Sequence, residues 1–157
     1  MTLTHLITRS IQLNHNTLFK TIKTFFKGNK PQYMSAGAAG ADLQASETIK
    51  IKPFTLGVVK TGTSVALPSG TFGMAVPRSS ICKKAGLFLI NSVGIIDNDY
   101  RGEIMLMYFN LSFKSHIIAK GTRVGQLVCI PFVNMKFIKG DLDETERGTG
   151  GFGSTGE

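Results

Sequence analysis

At 157 residues the chain is long enough for one domain with a substantial core and too short for two independent ones. No stretch reaches the roughly 20 apolar residues that a membrane-spanning helix needs, and Cys82 and Cys129 stand too far apart for a metal-ligand pattern or a disulfide framework. The formal net charge of +8 suits an anionic partner, but no run of five or six basic residues occurs and aromatics do not interleave with basics, so a small polyphosphate is favoured over stable nucleic-acid binding.

Residues 1–41 contain no Asp or Glu and carry Arg9, Lys20, Lys23, Lys27 and Lys30. This overlaps with transit-peptide composition, but arginine is scarce and no compact apolar signal region is present. Residues 1–16 are therefore read as a loosely attached extension, and Leu18 to Phe26 as the first strand. A turn at Gly28 to Pro31 precedes a run of small residues, Ala36 to Ala41, which ends at Asp42 and permits close approach of another backbone or a ligand. Thr48–Ile51, Leu56–Thr61, Thr63–Leu67 and Thr71–Val76 read as short strands punctuated by Pro53, Gly57, Gly62, Pro68 and Gly70. No long amphipathic helical pattern separates them, which points to an all-β barrel or sandwich with 18 glycines serving its turns.

One short helix is expected at Ile81–Ala85, capped by Ser79 or Ser80 and ended by Gly86. Arg78 immediately precedes it, so a guanidinium, hydroxyls and free amides converge where a phosphate could sit; an ordinary capped helix with a surface arginine fits the residues equally. Leu87–Asn91 is a further strand. Gly94 to Glu103 and Ile104 to Phe109 together read as a hairpin around an acidic turn, with Asp97 placed at its mouth to act as a base on water, or simply as a solvated turn. His116–Ala119, Val124–Phe132 and Met135–Ile138 complete the strands, with Arg123 and Gln126 flanking Gly125. From Gly140 the chain turns acidic and then glycine-rich through Arg147, Phe152, Ser154 and Thr155, a tail that is either disordered or ordered over a ligand.

Five stretches thus stand in order: AGADL (Ala39–Leu43), PRSSICKKAGL (Pro77–Leu87), GIIDNDYRGE (Gly94–Glu103), GTRVGQLV (Gly121–Val128) and RGTGGFGSTG (Arg147–Gly156). Their order and spacing resemble the five motifs of the trimeric dUTPase family over residues 18–157. The resemblance implies a jelly-roll-like β-barrel with one short helix, divided as an N-terminal extension (1–16), a barrel domain (17–140) and a flexible glycine-rich C-terminal arm (141–157) that closes over the nucleotide. It implies hydrolysis of dUTP to dUMP and pyrophosphate by a homotrimer with shared active sites, which keeps uracil out of DNA and supplies dUMP for dTMP synthesis.

By the same resemblance Asp97 is the general base that activates water for attack on the α-phosphorus, and Tyr100 packs on the deoxyribose and excludes a 2′-hydroxyl. Gly94, Ile95, Ile96, Met105 and Asn91 take the uracil edge; Arg78, Ser79, Ser80 and Gln126 take the phosphates, with Arg123 mainly structural. Arg147, Gly153, Ser154 and Thr155 close on the γ-phosphate side and Phe152 stacks on uracil, while Mg2+ is chelated by the phosphates and touched by Asp42 only through water. The fourth motif departs from the family in having Thr122 where an acid is common and Gly125 where alanine is common. Two relatives of the reading compete with it: a dCTP deaminase, whose hairpin usually carries Asp-Pro-Gly where this chain has Asp97-Asn98-Asp99, and a non-catalytic dUTPase-like binding protein. Free thiols favour a reducing compartment and hence the cytoplasm, with an organelle or the nucleus as the alternative if residues 1–16 are a targeting segment.

Overall fold

The computed structural model describes residues 22–151. Its elements in chain order are β1 (Phe25–Gly28), β2 (Ala41–Gln44), β3 (Ile49–Ile51), β4 (Leu56–Lys60), β5 (Thr63–Ala66), β6 (Thr71–Pro77), α1 (Ser79–Ala85), β7 (Leu87–Leu89), β8 (Gly94–Ile96), β9 (Met105–Asn110), β10 (His116–Ile118) and β11 (Arg123–Pro131). The strands form antiparallel sheets in the orders β2-β11-β6-β8, β4-β9-β7, β1-β5 and β10-β3. This is the expected all-β, jelly-roll-like barrel with one short helix.

Alternation decides which side chains fill it. In β4, Gly57 and Val59 point inward; in β9, Leu106, Tyr108 and Asn110 do; in β6, Thr71, Gly73 and Ala75 do. With Leu43, Ile51, Leu87, Ile104, Ile118, Val124 and Leu127 they make one core, each large aliphatic contributing about 1.5–3 kcal/mol by leaving water. Polar groups inside are paired. The Tyr108 hydroxyl donates to the Val124 carbonyl at 2.6 Å, and Asn110 donates to the Ile51 and Lys114 carbonyls at 3.1 and 2.8 Å. Burial pushes the Tyr108 phenol far above its ordinary value, and the nearby Cys82, when ionised, adds to the shift. Gly62 and Gly28 lie close enough that a Cβ on Gly28 would overlap the Gly62 carbonyl, and both hold left-handed φ values of 64° and 80°.

Four expectations are corrected. The first strand begins at Phe25 rather than Leu18 and runs to Gly28, because its partner β5 offers register only from Ala66 back to Thr63; residues 18–21 lie outside the described part. Met135–Ile138 is not a strand: its side chains are exposed and no strand among the described residues pairs with it. The helix is capped by Arg78, whose backbone is extended (φ −79°, ψ 140°), and no side chain caps it. Strand β6 runs through Pro77, so helical dihedrals start only at Ser79, and both serines fall inside the first turn. Gly86 ends the helix in left-handed conformation as expected, its N–H donating to the Cys82 carbonyl.

The fourth correction moves the acidic turn. Strands β8 and β9 do not pair: β8 lies against β6 (Ile95 opposite Met74), while β9 lies between β4 and β7. Inward Leu106 and Tyr108 tie β9 to the core beneath the second sheet, so Asp97–Glu103 is a crossing between two sheets, not a hairpin loop.

Candidate active site

The first cluster grows from β2. In the β2–β11 register Asp42 stands opposite Gln126, and a bulge between Arg123 and Gly125 brings Arg123 to the same side. The Asp42 side chain is 1% exposed. Its Oδ2 accepts from an Arg123 Nη at 3.1 Å, its Oδ1 accepts from Gln126 Nε2 at 3.0 Å, and Arg78 Nε lies 3.5 Å from Oδ1. Two guanidiniums against one carboxylate leave a positive charge in excess, and the Nη groups of Arg78 make no hydrogen bond among the described residues. Arg78 and Arg123 line a cavity of about 360 Å³ with Ser80, Thr122 and His116 at its polar side and Ile81, Leu87 and Ile118 beneath.

Small residues make this possible. A Cβ on Gly40 would lie 3.0 Å from that of Gln126, and one on Gly125 would lie 3.0 Å from the Val76 carbonyl and closer still to Leu106. The departure at Gly125 therefore has a physical reason: Leu106 occupies the room an alanine methyl would need.

The second cluster lies at the seam between the two larger sheets. β8 is an edge strand, and β9 is covered by β7 only at Tyr108–Asn110, with one further bond from Ile90 N–H to the Met107 carbonyl. Gly94, Ile95 and Ile96 thus carry backbone groups on a free edge, and Met105 lies on β9 where β7 does not pair, places where a flat, hydrogen-bonding ring can take the role of a strand. Asn91 belongs here too, since its amide lies beside Gly94 after a turn in which Ser92 takes a left-handed φ of 61°. Asp97 follows β8 directly; its carboxylate is exposed and has no hydrogen-bond or ion-pair partner among the described residues. The turn closes with Tyr100 N–H on the Asp97 carbonyl at 3.1 Å, and the Tyr100 hydroxyl donates to the Glu103 carbonyl at 3.1 Å. Glu103 in turn accepts from the Gly62 N–H at 2.6 Å, fixing the crossing to the β4–β5 turn. The ring of Tyr100 lies over Gly102 in space that any Cβ there would invade.

Arg78, Ser80 and Gln126 thus gather at one cluster, with Ser79 exposed at the helix start beside it; Asn91 lies beside Gly94; Ile95, Ile96, Asp97 and Tyr100 follow along β8 and its crossing, and Met105 opens β9 on the other sheet. No hydrogen bond or ion pair joins the clusters among the described residues. Arg147 sits in neither, its Nε donating to the Gly150 carbonyl at 3.0 Å within its own turn. Phe152, Gly153, Ser154 and Thr155 lie outside the described residues. Sequence reasoning missed the Arg123–Asp42 contact, whose signal is a strand register invisible in one sequence.

A strand edge open to a flat base, a free carboxylate beside it and a guanidinium cluster for an anion define a β-barrel that handles nucleotides. The dUTPase family matches residues 27–156. A deoxyuridine 5'-triphosphate nucleotidohydrolase of Desulfitobacterium hafniense is 44% identical over 130 residues, covering 80% of this chain and 86% of its own. Among solved structures, the dUTPase of Streptococcus mutans superposes with a TM-score of 0.68 at 32% identity, over 71% of this chain and 98% of its own. The Staphylococcus bacteriophage 80alpha dUTPase with dUPNHPP gives 0.80 at 26% identity, over 87% and 100%. The chain belongs to the dUTPase family.

Proposed function

We propose that this protein hydrolyses dUTP to dUMP and pyrophosphate, with Asp97 as general base. The observation that carries the reading is the position of Asp97: a solvent-facing carboxylate, engaged by no other side chain among the described residues, at the end of an open-edged strand. Uracil offers alternating donors and acceptors along one edge, which the free backbone of β8 and of Met105 can satisfy, with the Asn91 amide alongside. A methyl at C5 would crowd that edge. That the Tyr100 ring is held over Gly102 supports the reading in which it packs on the sugar and excludes a 2′-hydroxyl. Asp97 takes a proton from water as its oxygen attacks the α-phosphorus; the bond from that phosphorus to the bridging oxygen breaks, and pyrophosphate leaves. Arg78 and Gln126, with Ser79 and Ser80 at the helix start, take up phosphate charge.

No three His, Cys, Asp or Glu side chains converge among the described residues, so the donor set does not fit an ion caged by protein. Mg2+ belongs to this reaction as part of the substrate, chelated by the triphosphate. Three copies sharing their sites account for the separation of the two clusters. Leu56, Val58, Phe88, Ile90 and Met107 expose an apolar face on the β4-β9-β7 sheet, and Val133, Phe137, Ile138 and Leu142 lie 77–92% exposed beyond β11, surface that packing against other copies would cover. The C-terminal arm, with Arg147, Phe152, Gly153, Ser154 and Thr155, closes over the nucleotide, and the compartment is the cytoplasm.

Purified protein with Mg2+ and dUTP, dTTP, dCTP or UTP in parallel tests the reading, scoring pyrophosphate and ammonia. Pyrophosphate from dUTP alone is expected; ammonia from dCTP would make the protein a deaminase, and silence with all four a binding protein. Asp97→Asn should lower turnover by about 10²–10⁴-fold while an imido analogue still binds.

A further inference from the structure

We infer that Glu103 is a positioning residue for sugar selection, its side-chain carboxylate anchoring the Tyr100 ring to the turn between β4 and β5. The inference rests on the dUTPase reading and names what sets the discrimination proposed for Tyr100. Glu103 faces two ways. Its backbone carbonyl accepts from the Tyr100 hydroxyl at 3.1 Å, and its Oε1 accepts from the Gly62 N–H at 2.6 Å, 41 residues away in sequence. The ring itself has little else to hold it: Tyr100 is 41% exposed, and its hydroxyl makes no other hydrogen bond among the described residues.

The turn that Glu103 grips is rigid. Thr61 and Thr63 are buried on either side of Gly62, the Asn29 N–H and amide donate to the Gly62 and Thr61 carbonyls at 2.8 Å each, and the Thr63 hydroxyl donates back to the Asn29 carbonyl at 2.9 Å. The peptide plane between Glu103 and Ile104 is tied to the same turn, its N–H donating to the Thr63 carbonyl at 2.8 Å. One such bond lets a plane rock about the bond's own axis. The Glu103 side chain adds a second tether on the far side of its Cα, with a carboxylate as acceptor, the stronger class of hydrogen bond, so the carbonyl that Tyr100 leans on keeps its direction. Arg101 works separately. Its Nη donates to the Asn98 and Tyr100 carbonyls at 2.6 and 2.9 Å, which stiffens the turn at Asp97 from within. Losing the Glu103 tether therefore loosens the ring before it disturbs the base, and a loosened ring gives way to a 2′-hydroxyl.

The test measures kcat/KM for dUTP and UTP with Mg2+ in the parent, in Glu103→Ala, Glu103→Gln and Tyr100→Phe, and in Glu103→Ala combined with Tyr100→Phe. Glu103→Ala should lower the dUTP/UTP ratio roughly tenfold, chiefly by raising kcat/KM for UTP. Glu103→Gln keeps an acceptor oxygen at the same reach and should return the ratio to within about threefold of the parent. In the Tyr100→Phe background Glu103→Ala should add less than about twofold, because the bond it works through is already gone. An equal fall with both nucleotides, or losses that simply multiply in the double variant, would overturn the inference and leave Glu103 a stabilising contact only. If Glu103→Ala does not fold, Glu103→Asp decides: it keeps the charge but is one methylene too short for Gly62, so its ratio should drop as far, and a parent-like ratio would sink the proposal. A parent that turns over neither nucleotide, or both alike, fails the dUTPase reading and the inference with it. A discriminating parent beside an equally discriminating Glu103→Ala fails the inference alone.

Discussion

Tyr108 shows how one buried hydroxyl carries both stability and a pH dependence. Its bond to the Val124 carbonyl closes the core between β9 and β11, and Tyr108→Phe leaves that carbonyl without its partner, at a cost of about 1–2 kcal/mol. Burial holds the phenol's ionisation above its ordinary value of 10.0. Below that pH folded and unfolded chains both keep the proton and the contribution is complete; above it the unfolded chain releases its proton first, so stability falls as pH rises. The melting-temperature gap between parent and Tyr108→Phe should therefore narrow from about pH 9 to about pH 11, and a constant gap would mean the phenol titrates normally. The run Ile104–Phe109 is apolar throughout, so the sequence does not mark Tyr108 as inward-facing; the strand's alternation of exposed Met107, buried Tyr108 and half-buried Phe109 does. Asp42 is a further case. Its sequence neighbours say only that small residues crowd it; its partners Arg123 and Gln126 lie 81 and 84 residues away, and only the register of β2 on β11 joins them.

Among the elements, the crossing from β8 to β9 departs most from its expectation. An acidic turn between two β-rich runs reads as a hairpin because local pattern reports strands and turns, not which sheet each strand joins. What local pattern does carry is the turn's own chemistry: Gly102 is required by the ring of Tyr100. Gly102→Ala should push that ring off its seat and break its bond to Glu103 with little change in melting temperature, since Tyr100 is 41% exposed. The ratio of kcat/KM for dUTP over UTP should fall roughly tenfold or more, and an unchanged ratio would remove Tyr100 from sugar discrimination. The helix illustrates a boundary set by its predecessor: serines favour a cap, but β6 runs on through Pro77 and hands the capping position to Arg78.

At the scale of the whole molecule, every strand among the described residues lies between Phe25 and Pro131, and residues 147–151 add none to the barrel. Truncation after Glu146 should leave thermal stability and light-scattering mass unchanged while turnover falls at least tenfold or so, and full turnover by the shortened chain would rule out closure by the arm. The barrel itself was legible from short strands and punctuating glycines; the absence of a strand at Met135–Ile138 was not, because its apolar residues imitate a strand while no described strand pairs with it and its large side chains stay exposed. What a free strand edge offers at β8 is set by peptide groups that all amino acids but proline share alike. On the proposed base site, codon changes at exposed Ile95 can therefore drift without altering which base fits, whereas Ile96 packs on the core. Retuning the choice would take an inserted or deleted residue that slips the register, a far rarer event in a gene than a point substitution.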